Sequence, residues 1–384
     1  MFWPDFFLNI NMMNMKQLAI LLLLLAPLSV SAQKIASGYY RVQNKASNRF
    51  FMIVDDRAWV NANGGDVNTG ALRTVLGFNE KVVWNPATVC FVEQAPNGTQ
   101  YNIIGAGLDL YQKAGIYLDI TLATADGAYT LTGSKDGVGK MLYDGSRLDS
   151  ICYIYTNGAS GYQYWYFRPV KDTGSYPFGI KPTVAAGDKY YTTMYASFPF
   201  KVADTNVKAY YVKKIVDNYA IIAPLTVSVP ESTPVLLECN SQSPFDNIVN
   251  LQGSSVAVST NLLKGVYFCN DVNESTGHRN VVEFNGTTMR VLGTDIDGNL
   301  AFVTSPSPKY IPANSAYLQV PAGSPTILKV ITEEEYTAGV LEMSADSKVK
   351  PAGVYTLGGQ RVADTLDGLP RGIYVTGGKK VVVK

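Results

Sequence analysis

The chain has 384 residues and a formal net charge of +1, with 47% hydrophobic, 16% charged and 11% aromatic residues. So balanced a charge excludes nucleic-acid binding by bulk electrostatics, and the apolar content excludes a disordered chain. One histidine (His278) excludes a two-His metal site, while 34 glycines, 19 prolines and 25 tyrosines indicate strands and turns rather than helices.

In chain order, Lys16 precedes an apolar run at residues 18–28, followed by Ser29, Val30, Ser31 and Ala32. A cation, an apolar core and small residues form the pattern of a secretory signal peptide. Residues 1–32 are therefore expected to be removed, with cleavage after Ala32; the stretch before Met15 reads as an upstream start. The run is too short to span a bilayer as a helix. Cys90, Cys152, Cys239 and Cys269 follow. In an oxidising compartment they permit two disulfides, with Cys239–Cys269 favoured, or they remain four buried thiols.

From residue 33 to 172, short apolar runs alternate with turn clusters such as Pro96-Asn97-Gly98, Asp126-Gly127 and Asn157-Gly158. This spacing predicts an all-β domain. Three units can be read, opening at Tyr39-Tyr40-Arg41-Val42, at Cys90-Phe91-Val92 with Tyr101-Asn102-Ile103-Ile104, and at Tyr129-Thr130-Leu131. A Tyr/Pro/Gly-rich connector is expected at 173–182. A second all-β block, read as β-sandwich-like, covers 183–332. In it Asn285-Gly286 predicts a type I′ hairpin and Asp297-Gly298 another. A solvated linker is expected at 333–350, beginning with Glu333, Glu334 and Glu335, and a small C-terminal β domain at 351–384.

Gly38-Tyr39-Tyr40-Arg41-Val42-Gln43-Asn44 followed by Arg49-Phe50-Phe51 resembles the opening of a ricin-type β-trefoil repeat, and Gln163-Tyr164-Trp165 resembles that family's Gln-x-Trp signature. The first two units lack that tripeptide. The resemblance implies a β-trefoil followed by the sandwich-like and C-terminal β domains. Residues 190–200, 234–238 and 311–318 resemble a module of secreted Bacteroidota proteins, from which no activity carries over. Gly358-Gly359-Gln360-Arg361-Val362, Leu369-Pro370-Arg371-Gly372-Ile373-Tyr374 and Lys379-Lys380-Val381-Val382-Val383-Lys384 resemble the C-terminal sorting domain of type IX secretion in that phylum. It implies export to the cell surface or outside, with outer-membrane export or surface components as partners. Asp149-Ser150-Ile151 and Asp364-Thr365-Leu366 are similar to that phylum's O-glycosylation acceptors.

Chemistry is sparse. Gly158-Ala159-Ser160-Gly161-Tyr162 lacks the last glycine of a hydrolase nucleophile elbow, and no carboxylate pair sits in a glycosidase motif. Asp295-Ile296-Asp297-Gly298-Asn299 is similar to the start of a calcium loop, but Leu300 and Pro306 stand where an EF-hand needs Gly and Glu, so a hairpin is expected. No catalytic residue, metal ligand, cofactor or nucleic-acid partner is expected. The ricin-type resemblance instead implies a sugar site in the third unit, binding a glycan or glycoconjugate. Its residues would be Asp144, an aromatic platform at Tyr153 or Tyr155, Asn157 and Gln163, with Trp165 in the core. Tyr162 replaces the family's Asn before the Gln. The reading is thus a non-catalytic, exported, lectin-like surface protein. The alternatives are a structural or adhesin-like protein with a degenerate trefoil, and a trefoil-based enzyme accessory module or protease inhibitor.

Overall fold

The structure is a computed structural model that describes residues 34–54, 71–75, 77–105, 108–109, 118–135, 138–144, 152–155, 161–253, 258–267, 282–338, 353–357, 360–376 and 379–383. The signal segment, Asn157, His278, Cys269 and residues 339–350 of the expected linker lie outside these. The chain is all-β in class and divides into two compact units between Phe178 and Gly179.

The N-terminal unit contains β1 (Gly38–Asn44), β2 (Phe50–Val54), β3 (Ala71–Val75), β4 (Cys90–Gln94), β5 (Tyr101–Gly105), β6 (Leu108–Asp109), β7 (Asp119–Leu122), β8 (Tyr129–Lys135), β9 (Val138–Asp144), β10 (Cys152–Tyr155) and β11 (Trp165–Pro169). A four-residue helix, α1 (Glu80–Val83), precedes β4. The strand pairs β1–β4, β4–β5, β7–β8, β8–β11 and β11–β1 are all antiparallel. Tyr101 bridges Leu118, just before β7, which closes a ring of six strands.

The ring has threefold register. Tyr40 pairs with Cys90, Tyr101 with Leu118, and Tyr129 with Trp165. Each tyrosine also pairs with the residue four places further along the preceding closing strand: Tyr40 with Pro169, Tyr101 with Gln94, Tyr129 with Leu122. Two residues after each tyrosine stand Val42, Ile103 and Leu131, all fully buried. Two hairpins, β2–β3 and β9–β10, lie off the ring. The repeats therefore run from β1 to β4, from β5 to β7 and from β8 to β11. Cys90 closes the first repeat; it does not open the second, as the sequence suggests. The turns Pro96-Asn97-Gly98 and Asp126-Gly127 form as expected, with Gly98 at φ 75° and Gly127 at φ 88°, where glycine carries no steric penalty.

Arg41 is fully buried on the outer side of this ring. Its Nε donates to Thr88 Oγ1 at 3.1 Å, Nη1 to the carbonyls of Tyr176 (2.8 Å) and Pro177 (2.7 Å), and Nη2 to those of Val82 (3.2 Å) and Val83 (3.0 Å). Tyr176 packs against Phe50 and Phe78, with centroids 5.8 and 5.1 Å away. The connector expected at 173–182 is therefore packed from Tyr176 onward, with Phe178 and Ile180 buried.

The C-terminal unit follows β12 (Phe178–Gly179) at the junction, with β13 (Val184–Ala186), β14 (Lys189–Met194), β15 (Phe200–Lys201), β16 (Val207–Val216), β17 (Tyr219–Leu225), β18 (Ser228–Val229), β19 (Val235–Cys239), β20 (Ile248–Val249), β21 (Leu263–Val266), β22 (Met289–Thr294), β23 (Leu300–Val303), β24 (Ser315–Gln319) and β25 (Ile327–Thr332). The expected sandwich takes the form of one ten-stranded sheet in the order β13-β14-β19-β16-β17-β25-β23-β22-β24-β21. β17 and β25 are parallel. The sheet curls until β14 meets β24: Thr193 Oγ1 donates to the Ala316 carbonyl at 2.9 Å and accepts from Ala316 N at 3.0 Å. Inside lie Val212, Ala220, Ile222, Leu236, Phe302, Leu318 and Leu328. A Cβ on Gly265 would sit 2.1 Å from the Tyr195 ring, so that close approach requires glycine.

Three local expectations change. Residues 282–284 pair with 309–311 rather than with β22: Glu283 bridges Tyr310, and Phe284 N donates to the Lys309 carbonyl at 3.0 Å. Asn285-Gly286 is consequently no type I′ hairpin. Neither residue has positive φ, and the turn is helical, with Met289 N donating to the Asn285 carbonyl at 2.8 Å. Cys239, favoured for a bridge, is a buried free thiol pushed up to about 12 by burial, and Cys90 is likewise free and buried; Cys269, the expected partner of Cys239, lies outside the described residues. Residues 333–338 are helical, not linker. A capping box starts them: Thr332 Oγ1 accepts from Glu335 N at 3.2 Å, and Glu335 Oε2 accepts from Thr332 N at 2.7 Å.

The Asp295 segment is a hairpin. Asp295 Oδ1 accepts from Asp297 N (2.9 Å) and Asn299 N (2.8 Å), Oδ2 accepts from Asn299 Nδ2 (3.1 Å), and Lys329 Nζ lies 3.2 Å away. Four further strands, β26 (Val354–Thr356), β27 (Arg361–Ala363), β28 (Gly372–Thr376) and β29 (Lys379–Val383), form an antiparallel sheet in the order β27-β26-β28-β29.

Two predictions follow from these contacts. Arg41→Met leaves buried carbonyls without a donor, at about 1–3 kcal/mol each, and should destabilise the N-terminal unit by at least about 3 kcal/mol in chemical denaturation. Arg41→Lys should not restore it, because an ammonium cannot span both carbonyl pairs. Asp295 tests a pH dependence. The Asn299 side chain, then the Asn299 backbone, Lys329 and the Asp297 backbone hold its carboxyl down at about 2. A depressed folded value adds stability above the unfolded value of about 3.9 and loses it as pH falls through the folded one. Asp295→Asn should therefore flatten the stability–pH curve between about pH 4 and 2, and an unchanged slope there would contradict the assignment.

Candidate functional site

The third repeat is built on the β9–β10 hairpin and the turn before Trp165. Asn44, at the end of β1, shapes the facing turn of the first repeat. Its Oδ1 accepts from Ala46 N and Ser47 N, both at 3.0 Å, and its Nδ2 donates to the Tyr162 carbonyl at 2.7 Å. This aims the Ser47 hydroxyl at Asp144.

Asp144 ends β9 with 0% exposure. Ser47 Oγ donates to its Oδ2, Thr74 Oγ1 donates to its Oδ1 at 3.3 Å, and its own N–H donates to the Tyr162 carbonyl at 3.2 Å. Both carboxylate oxygens thus receive hydroxyls of the first repeat. Asp144, expected as a sugar acceptor, is enclosed here, and its carboxylate ties the first repeat to the third.

Register separates it from the other expected residues. Cys152 stands opposite Asp144, whereas Tyr153 stands opposite Tyr143 and Tyr155 opposite Met141. With side chains alternating every residue, positions 153 and 155 share the hairpin face of Tyr143, and Asp144 belongs to the other face with buried Leu142. The side chains of Tyr153 and Tyr155, and the whole of Asn157, lie outside the description. Gln163 Oε1 accepts from Gly161 N at 2.9 Å, holding the turn in which Gly161 has φ 104°. Trp165 is in the core as expected, its Nε1 donating to the Leu142 carbonyl at 3.1 Å and its ring edge-on to Phe51 at 5.9 Å.

The face carrying positions 153 and 155 also carries residues that sequence reasoning passed over. The Tyr143 and Tyr162 rings meet edge to face, 6.0 Å apart at 72°, and both are half-buried. Tyr162 stands immediately before Gln163, where the ricin-type pattern has Asn, and that difference was the signal available. The paired Tyr143 and Tyr162 rings offer apolar faces to sugar C–H groups and hydroxyls to sugar oxygens. Among the described residues, no group of three His, Cys, Asp or Glu could hold a metal ion, and no helix is long and apolar enough to cross a membrane.

Comparisons with known proteins add little. No family model matches the chain, and no curated protein matches it. A solved structure described as that of a mosquitocidal holotoxin is similar over 77% of this chain at 10% identity, with a TM-score of 0.28. The chain spans about a third (34%) of that toxin chain. A likeness this loose carries no functional argument.

Asp144 supplies a prediction. Asp144→Ala leaves the Ser47 and Thr74 hydroxyls without their acceptor and should lower stability by roughly 1.5–3 kcal/mol. Thermal denaturation checks it: an unchanged melting temperature would return Asp144 to the ligand-binding candidates.

Proposed function

We propose that the N-terminal unit is a β-trefoil and that the chain is a non-catalytic, exported, carbohydrate-binding surface protein. The trefoil reading rests on the threefold register of Tyr40, Tyr101 and Tyr129 against Cys90, Leu118 and Trp165. The glycan reading is carried by the aromatic pair Tyr143–Tyr162 beside positions 153 and 155. In this reading the third repeat binds sugar through tyrosines, with Asp144 behind them as a structural tie. Export rests on the apolar run before Ala32 and on the resemblance of residues 353–384 to a secretion sorting domain. The partner is a glycan or glycoconjugate at the cell surface, with outer-membrane components involved in export.

The burial of Asp144 favours a second reading, a structural or adhesin-like surface protein whose trefoil has lost its sugar site. A glycan array separates the two. The purified chain should bind a subset of glycans, and Tyr143→Ala should weaken that binding by about 10-fold or more, the effect of losing an aromatic contact worth at least about 1 kcal/mol together with its hydroxyl. Binding by the wild type but equally by Tyr143→Ala and Tyr162→Ala would displace the site. An array without any bound glycan would leave the structural reading in its place.

A further inference from the structure

The C-terminal unit holds a cavity of about 320 Å³, open to solvent, between the turn that joins β18 to β19 and the segment leading into β21. That volume is at the lower end of small-molecule sites. The turn lines it with residues 230–234, and the segment lines it with Val258 and Asn261.

Both walls are held in place from behind. Ser232 N donates to the Ala196 carbonyl at 2.9 Å, and the Ser232 and Tyr267 hydroxyls meet at 2.7 Å. The Tyr267 ring is stacked in turn on Tyr195, with centroids 4.0 Å apart. These contacts keep Ser232 at φ 54°, a left-handed conformation that costs energy in any residue with a Cβ. On the other wall, Asn261 Nδ2 donates to the Pro234 carbonyl at 2.7 Å and its Oδ1 accepts from Leu263 N at 3.0 Å. The Thr233 hydroxyl donates to the Glu231 carbonyl at 3.2 Å. With these polar groups engaged in the walls, the lining offers a ligand the apolar surface of Pro230, Pro234 and Val258 and the carboxylate of Glu231.

That carboxylate is alone. Glu231 is the one charged residue between Asp217 and Glu238, and the sequence at 247–263 carries no charge at all. Among the described residues, no lysine or arginine forms an ion pair with Glu231. An anion is therefore repelled, and a cation meets an acceptor that nothing else neutralises. Two proline rings and a valine suit an aliphatic chain, the combination in which lysine stems lie along apolar surface with the charge at the water. No aromatic ring lines the cavity to stack on a guanidinium, which favours the compact ammonium. We propose that this cavity binds a primary alkylammonium group, its chain against Pro230, Pro234 and Val258 and its charge on Glu231. A free aliphatic amine and the side chain of a protein lysine share that chemistry. The site is independent of the glycan reading.

The test uses the full chain, with n-pentylamine and Nα-acetyl-lysine N-methylamide as probes and n-pentanol as the uncharged control, read by saturation-transfer NMR and titration. Both amines should bind in the millimolar range, as expected for ligands of so few atoms, and pentanol should bind about 10-fold more weakly or not at all. Glu231→Gln should weaken both amines about 10-fold, the effect of losing one charged hydrogen bond, and Glu231→Lys should abolish their binding. Glu231 is exposed, so neither substitution should move the melting temperature. Tighter binding of the lysine amide than of pentylamine assigns the site to a lysine of a protein partner, and the reverse order to a free amine. Equal binding of pentanol, or amine binding unchanged in Glu231→Gln, would overturn the site. A wild-type chain that binds neither amine would overturn it as well. These readouts leave the Tyr143 face untouched, so the glycan reading stands or falls separately.

Discussion

A buried guanidinium sets the terms for each unit. Arg41 and Arg290 have at most 2% exposure. Neither hydrogen-bonds a carboxylate: Arg41 is held by one threonine hydroxyl and four carbonyls, and Arg290 by the carbonyls of Gly286, Met289, Ser324 and Pro325. Burial lowers the Arg41 pKa to about 9, but the group stays charged at neutral pH, so its desolvation has to be offset by nearly complete hydrogen bonding. That requirement fixes backbone far away in sequence. Val82 and Val83 offer the carbonyl end of α1, where a cation is favoured, and Tyr176 and Pro177 are brought back to the ring. Once those carbonyls converge, Thr88 and the start of β4 have little freedom left, and the first repeat is closed.

This constraint explains where the sequence could and could not be read. Strand positions and tight turns were legible because alternation and Asn-Gly or Asp-Gly chemistry are local. The strands at 207–216, 219–225 and 300–303 fall on short runs rich in apolar residues. The packing of the connector at 173–182 was not legible because the residue that holds it, Arg41, is 135 positions from Tyr176. Asn285-Gly286 misled for a similar reason, since residues 282–284 find their partner at 309–311 and Arg290 takes the Gly286 carbonyl at 2.6 Å. The helix at 333–338 had a local signal, Thr332-x-x-Glu335, which the run of glutamates disguised as solvated chain.

The faint repeat signal has a physical cause as well. Only the third repeat keeps Trp at the closing position, while Cys90 and Leu118 occupy the equivalent places in the first two. Each is buried, so the ring demands an apolar group there but no particular one. The Gln-x-Trp signature is therefore one solution to a packing requirement that three unlike residues meet. The tyrosines at 40, 101 and 129 mark the repeats better, since all three stand at the same register.

The candidate site was legible in composition and illegible in geometry. Asp144 stands near the tyrosines in sequence, but strand alternation sends it to the opposite face, where Ser47 and Thr74, 97 and 70 positions away, take up its oxygens. A carboxylate so enclosed serves the fold, and in the proposed reading recognition passes to groups that stay neutral. With 25 tyrosines and one histidine, the chain is supplied for that kind of surface. Tyrosine offers an apolar ring and a hydroxyl at little entropic cost, and it keeps its proton across the physiological range. In the proposed reading the hairpin face at Tyr143 and Tyr162, whose rings meet edge to face, uses it in this way, while the buried Asp144 behind it serves the fold.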